Sequence, residues 1–284
     1  MKVEEKLNLL TQSVANKALQ FTPIISLPNP PSAIPLGSGL FLKIKDSYFL
    51  ASAGHLLNFE DWPKLTVPGN NDTLVNLNGV LITTFENGKT DSDVDFAVFK
   101  FAERQIKHLI DGHYNFIDCS DIKVNHKVEE NGYYIIAGYP VNGVKKTAGK
   151  AEFKPIPAKF LTYPLKHKKH KNNNFNPNHF ILVKYQRKVA PLNSSEKQIT
   201  RELKGISGSG LWHIPNWKDL NNGVPKFQLV GIMTENHKNK GFLVAIRIDF
   251  ITEIINQIFD LNAFENSQFE FNGSIKQIYG GEIK

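Results

Sequence analysis

Gly205-Ile206-Ser207-Gly208-Ser209-Gly210-Leu211 sets a serine among glycines immediately before an apolar strand start. Glycine lets a chain turn sharply and leaves room beside it, so the segment reads as a tight turn that presents a hydroxyl. A serine hydroxyl attacks a carbonyl only when a base removes its proton and backbone N–H groups receive the developing oxyanion. Two upstream segments offer the missing parts. Phe49-Leu50-Ala51-Ser52-Ala53-Gly54-His55 is an apolar strand ending in small residues and a histidine, and Asp93-Val94-Asp95-Phe96-Ala97-Val98-Phe99 leads from aspartates into another apolar strand. A histidine titrates near neutral pH and can act first as base and then as acid. His55, an aspartate and a serine therefore read as base, orienting carboxylate and nucleophile. Ser209 competes with Ser207, and Asp91 and Asp93 compete with Asp95.

These three segments, in this order, resemble the motifs of the trypsin-like, chymotrypsin-fold serine peptidases, and in particular an intracellular, bacterial-type member without disulfides. Gly37-Ser38-Gly39-Leu40-Phe41, Ala137-Gly138-Tyr139-Pro140 and Leu229-Val230-Gly231-Ile232 extend the likeness from about Gly37 to about Ile255. The resemblance implies an all-β fold of two six-stranded antiparallel β-barrels, with an N-terminal and a C-terminal helix. It selects Ser207, which has Gly205 two places before it and Gly208 directly after, and Asp95, which opens the Phe96-Ala97-Val98 strand. It places the oxyanion hole at the backbone N–H groups of Gly205 and Ser207. It further implies that Thr234-Glu235-Asn236 pairs with substrate backbone as an added strand, and that Arg201 and the Lys240-Gly241-Phe242 stretch line the primary specificity pocket. An inward-pointing Arg201 would favour an acidic side chain before the scissile bond. At one position the chain departs from the digestive members: Ile206 stands where they carry an aspartate that pairs with a new N-terminus after activation cleavage, so that activation route is not expected.

Composition bounds the setting. A chain of 284 residues with 41% hydrophobic content can bury a full core. The single cysteine, Cys119, cannot form an internal disulfide, which fits a reducing compartment. Met1-Lys2-Val3-Glu4-Glu5-Lys6-Leu7 lacks the basic start and unbroken apolar run of a signal peptide, and no stretch reaches the roughly 18 apolar residues of a membrane span. The expectation is a cytoplasmic protein with no membrane partner. The net charge of +7 is partly concentrated in Lys166-His167-Lys168-Lys169-His170-Lys171. With the Asn-rich segment that follows, this run reads as an exposed, solvated loop; a polyanion contact is the alternative, and neither a metal site nor a cofactor is expected.

The organisation follows. Residues 1–36 hold an amphipathic helix from Glu4 to about Gln20 and a proline-rich lead-in, Pro23 to Pro35, that breaks regular structure. Residues 37–130 form the first barrel, with strands at Leu40–Ile44, Tyr48–Ala53, Gly79–Phe85 and Phe96–Phe101 and a brief helix after Glu103. Residues 131–260 form the second, with strands at Tyr133–Ala137, Ala151–Leu161, Phe180–Tyr185, Phe227–Thr234 and Gly241–Ile248, then a helix capped by Asp249 with an apolar stripe of Phe250, Ile251, Ile254, Ile255 and Ile258. Residues 261–284 are a tail without a legible role. The expected activity is that of a regulatory serine endopeptidase working through an acyl-enzyme on a protein or peptide substrate, with an activating protein partner. By analogy with the family, such proteins include components of bacterial defence or stress systems. A catalytically silent peptide-binding module is the first alternative, and a basic nucleic-acid-associated protein the second.

Overall fold

Leu40–Ile44 and Ser47–Ser52 are separated only by Lys45 and Asp46, and Lys45 takes a left-handed φ of 53°, as a two-residue hairpin turn requires. The computed structural model describes residues 3–29, 32–57, 64–71, 73–86, 89–90, 94–110, 112–141, 144–146, 153–185, 188–189, 198–199, 203, 205–215, 217, 226–269 and 275–280. In chain order its principal strands are β1 (Ile24–Asn29), β2 (Ser32–Ser38), β3 (Leu40–Ile44), β4 (Ser47–Ser52), β5 (Thr66–Pro68), β6 (Leu74–Asn76), β7 (Gly79–Thr83), β8 (Ala97–Phe101), β9 (Tyr133–Gly138), β10 (Ala158–Thr162), β11 (Phe180–Lys184), β12 (Gly210–Ile214), β13 (Gln228–His237), β14 (Phe242–Arg247) and β15 (Lys276–Gly280). Among the described residues four α-helices accompany them: α1 (Val3–Gln20), α2 (Glu103–Leu109), α3 (His167–Asn172) and α4 (Ile248–Ile258).

The chain is mostly β. The strands pair in three sheets, ordered β2-β1-β5-β6, β15-β7-β8-β4-β3 and β10-β9-β12-β13-β14-β11, the last curled into a half-barrel. Strand periodicity decides where the core lies. Phe41, Leu50, Leu81 and Phe99 face Ile25 and Val67 of the neighbouring sheet and form one buried cluster, while the alternate residues Leu40, Leu42, Phe49, Ile82 and Val98 point the other way. The six-stranded sheet repeats the arrangement, with Ile136, Val183, Leu211, Val230 and Leu243 in one cluster and Ile135, Leu182, Trp212, Ile232 and Val244 on the opposite face. The two opposite faces meet in a single shared cluster with α1 and α4. Each such buried side chain contributes roughly 1.5–3 kcal/mol by leaving water, so this seam holds the two halves in fixed relation. Helix α4 crosses it: Phe250 stacks on Phe96 with ring centroids 6.4 Å apart.

Several expectations are corrected. The proline-rich stretch does not break regular structure but forms the β1-β2 hairpin, with Pro35 opposite Ser26 and Pro28 opposite Ala33. β2 is the edge of its sheet, where a missing N–H leaves no ladder bond unmade on the open side. Asp249 does not cap α4. Arg247 occupies the N-cap position without a side-chain cap, and Asp249 sits in the first turn, where its Oδ1 accepts the Asn125 N–H at 2.6 Å. The Lys166–Lys171 run is not an open loop: it enters α3, with His170 buried, and the chain leaves the helix at Asn173 and Asn174, the latter at a φ of 61°. The expected Ala151–Leu161 strand is divided into Phe153–Pro155 and β10, with Pro157 between them. In the tail, β15 pairs along β7 from Lys276↔Thr83 to Gly280↔Gly79. No helix among the described residues is long and apolar enough to cross a membrane.

Candidate active site

Strand register brings His55 and Asp95 together. β4 and β8 run antiparallel with Ser52 opposite Ala97, so the residues just after β4 lie beside those just before β8. Ala53 and Gly54 lead into a 3-10 turn, Gly54–Leu56, that carries His55. Its Nδ1 is 2.6 Å from Asp95 Oδ2, and the His55 backbone N–H donates to Asp95 Oδ1 at 2.9 Å. One carboxylate thus holds both the ring and its backbone. An ionised carboxylate only accepts, so the imidazole proton belongs on Nδ1 and a lone pair is left on Nε2. The His55 side chain is 36% exposed and that of Asp95 17%: the base is reachable from solvent and the orienting group is sheltered. Asp91 and Asp93 lie outside the described residues.

Ser207 sits on the turn that leads into β12. Gly205 and Gly208 take left-handed φ values of 87° and 82°, which side chains resist. A Cβ on Gly208 would also overlap the Ser38 carbonyl oxygen and the Ser52 hydroxyl. The turn is closed by Ile206 N–H donating to Leu203 O at 3.0 Å and Gly208 N–H to Met233 O at 2.7 Å. Ser209 is fully buried and its hydroxyl donates to Ile206 O at 2.6 Å, which removes it as a competing nucleophile. Among the described residues the N–H groups of Gly205 and Ser207 have no acceptor, the condition a pair of oxyanion donors must meet. Ile206 is 2% exposed and packs in the apolar cluster with Leu203, Tyr134 and Met233. Apolar burial therefore anchors this turn at the position where a buried ion pair was not expected.

The link between the two halves of the site was missed in the sequence. Ser38, fully buried at the end of β2, donates its N–H to Ser207 O at 3.0 Å, accepts the Ser52 hydroxyl on its own carbonyl at 2.8 Å, and accepts the Tyr139 N–H on Oγ at 2.9 Å. One residue thereby ties the Ser207 turn to the end of β4, just before His55, and to the end of β9. The Gly37-Ser38-Gly39 triplet was the available signal, since small residues on both sides mark a place of close approach.

The Ser207 hydroxyl donates to Thr234 O at 3.1 Å. Among the described residues Ser207 makes no hydrogen bond to His55. Thr234 falls at a bulge in β13, and β12 pairs with β13 only as far as Gly210↔Ile232. Glu235 and Asn236 pair on their other side with Val244 and Leu243, so among the described residues their edge beyond Met233 has no strand partner. Gly241 turns the β13-β14 hairpin at a φ of 73°, next to the Phe242↔His237 pair and three residues further along β13 than Thr234. Phe242 is buried in the shared core, and Arg201 lies outside the described residues. Burial, then the Asp118 charge, raises the Cys119 thiol pKa. No cluster of three metal-ligating side chains occurs among the described residues.

The chain matches no known family model and no curated protein sequence.

Proposed function

We propose that this chain is a serine endopeptidase of the trypsin-like kind, its two β-rich halves corresponding to the two barrels of that fold. The observation that carries the proposal is the two-point hold of Asp95 on His55, tied through Ser52 and Ser38 to the Ser207 turn. In the reaction, His55 Nε2 takes the Ser207 proton as Oγ bonds to the substrate carbonyl carbon. The oxygen gains the electron pair of the opened C=O bond and rests against the Gly205 and Ser207 N–H groups. His55 then gives the proton to the leaving amine, which yields the acyl-enzyme, and water repeats the sequence to release the acid. Peptide backbone adds to the free edge at Glu235 and Asn236 as a short strand. The setting is cytoplasmic and the substrate a protein or peptide.

A second reading, a latent peptide-holding module that an activating protein switches on, is favoured by one contact, the Ser207 hydroxyl turned onto Thr234 O. Intact-mass analysis after incubation with a fluorophosphonate separates the two. A single adduct, absent from Ser207→Ala and His55→Ala, supports the endopeptidase; a folded wild type that takes no adduct supports the latent module.

A further inference from the structure

A cavity of about 270 Å³ lies away from the triad, bounded by α3, the start of β11 and the end of β14. Four of its lining residues are cationic or can become so: Lys166, His167, His170 and Arg247. The carboxylate lining it is that of Glu130, which is solvent-exposed.

Arg247 is 6% exposed, and among the described residues no carboxylate lies within 4.0 Å of its guanidinium. Nε donates to Pro177 O at 3.1 Å, Nη1 donates to His126 O at 2.8 Å, and the Phe269 ring covers one face at 4.1 Å. A guanidinium has five N–H donors, so these contacts fix its orientation and leave Nη2 without an acceptor among the described residues. The buried Asp249 carboxylate acts on the guanidinium only from beyond 4.0 Å. His170 adds a second unmet donor. It is 5% exposed, its Nε2 accepts the Leu182 N–H at 3.3 Å, and its Nδ1 therefore carries the ring proton, near the Lys166 and Phe180 backbone but without a well-formed hydrogen bond to it.

We propose that this cavity binds the phosphate group of a small organic phosphate ester. Arg247 Nη2 donates to one phosphate oxygen, His170 Nδ1 donates to a second, and Lys166 places positive charge at the mouth beside His167. Leu165 and Phe180 supply apolar wall for the organic part. The limited volume argues for a small ester over a polynucleotide, and Lys168, Lys169 and Lys171, exposed on α3, raise the local potential from outside.

Isothermal titration calorimetry of the full chain tests the site with glycerol 3-phosphate, inorganic phosphate, glycerol and a single-stranded oligonucleotide. The expected result is saturable binding of glycerol 3-phosphate, weaker binding of inorganic phosphate and none of glycerol. Binding falls at least tenfold in Arg247→Gln, and likewise in the double variant Lys166→Gln/His167→Gln, whose exposed positions leave folding intact if Arg247→Gln does not. Lack of saturable phosphate-ester binding by wild type, or binding unchanged in the double variant, overturns the proposal. So does oligonucleotide binding tighter than that of the ester and lost in Lys168→Gln/Lys169→Gln/Lys171→Gln, which would make α3 an open polyanion face. None of these outcomes depends on the fate of Ser207.

Discussion

Asp95 grips His55 at two points, Oδ2 at 2.6 Å from the ring Nδ1 and Oδ1 accepting the backbone N–H at 2.9 Å. The second contact fixes the 3-10 turn on which the ring is mounted, so the carboxylate sets the position of the base as well as its tautomer. Asp95→Asn retains an acceptor and a similar shape, but its NH2 can donate to Nδ1 and move the imidazole proton to Nε2, where it blocks proton uptake from Ser207. Fluorophosphonate labelling is expected to slow by about 10⁴-fold, with an unchanged melting profile. A labelling rate within tenfold of wild type would remove Asp95 from the mechanism.

Gly208 and Gly241 both have positive φ, at 82° and 73°, yet alanine should affect them differently. Around Gly241 a Cβ would meet only Tyr185 O at 3.7 Å, so Gly241→Ala should cost about 1–2 kcal/mol, the ordinary left-handed penalty. At Gly208 the added carbon would overlap Ser38 O and Ser52 Oγ, and relief would displace Ser207 from the base. Gly208→Ala is expected to lose more than about 3 kcal/mol and all labelling. Urea denaturation and intact mass on both variants check the contrast.

Much of this geometry was legible because it depends on local pattern. Apolar runs and their turns placed β3, β4, β7, β8, β9, β11, β13 and β14, and the small residues around His55 and Ser207 marked the sites of close approach. What failed to read depends on tertiary context. Pro35 looks like a breaker until β2 is known to be an edge, Asp249 looks like a cap until Asn125 offers its N–H, and the Lys166–Lys171 run looks like a loop until His170 turns inward. Ser38 carried only the signal of its flanking glycines, because its contacts are with residues 14, 101 and 169 positions away, pairings that only the assembled sheets create.

Acid should weaken the fold through His126. It is 3% exposed, its Nε2 lies 2.8 Å from the Tyr134 hydroxyl, and its ring lies 4.5 Å from that of His213. Burial, then the neighbouring His213, Arg247 and Lys123 charges, lowers its pKa from 6.5 to about 3. The native state thus holds the ring neutral at pH values where the unfolded chain binds a proton. Its stability contribution is complete above pH 6.5 and declines as pH falls toward 3. Between pH 7.5 and 5.0 the loss is about 2 kcal/mol. His126→Gln should be less stable at pH 7.5 but lose less on acidification. Equal pH slopes for the two proteins would assign the acid sensitivity elsewhere, His213 being the next candidate because burial also lowers its pKa.

Ile206 provides the sharpest test of how the nucleophile turn is held. Its 2% exposure and its place beside Leu203, Tyr134 and Met233 mean that apolar contact fixes the peptide between the two proposed oxyanion donors. Ile206→Val removes one methylene and should cost about 0.5–1.5 kcal/mol with labelling nearly unchanged. Ile206→Asp places a charge in the same cluster, and without a buried cation to pair with it the carboxylate must either stay protonated or draw the turn outward. The expected result is a loss of more than about 3 kcal/mol and of labelling at pH 7.5, with the stability partly recovered at pH 4.5, where a raised aspartate pKa lets the neutral form fill the site. Labelling at pH 7.5 and urea midpoints at pH 7.5 and 4.5, with wild type as the reference for the His126 effect, resolve this. An Ile206→Asp protein that labels at the wild-type rate at pH 7.5 would mean that the turn is held by its hydrogen bonds to Leu203, Met233 and Ser38 alone.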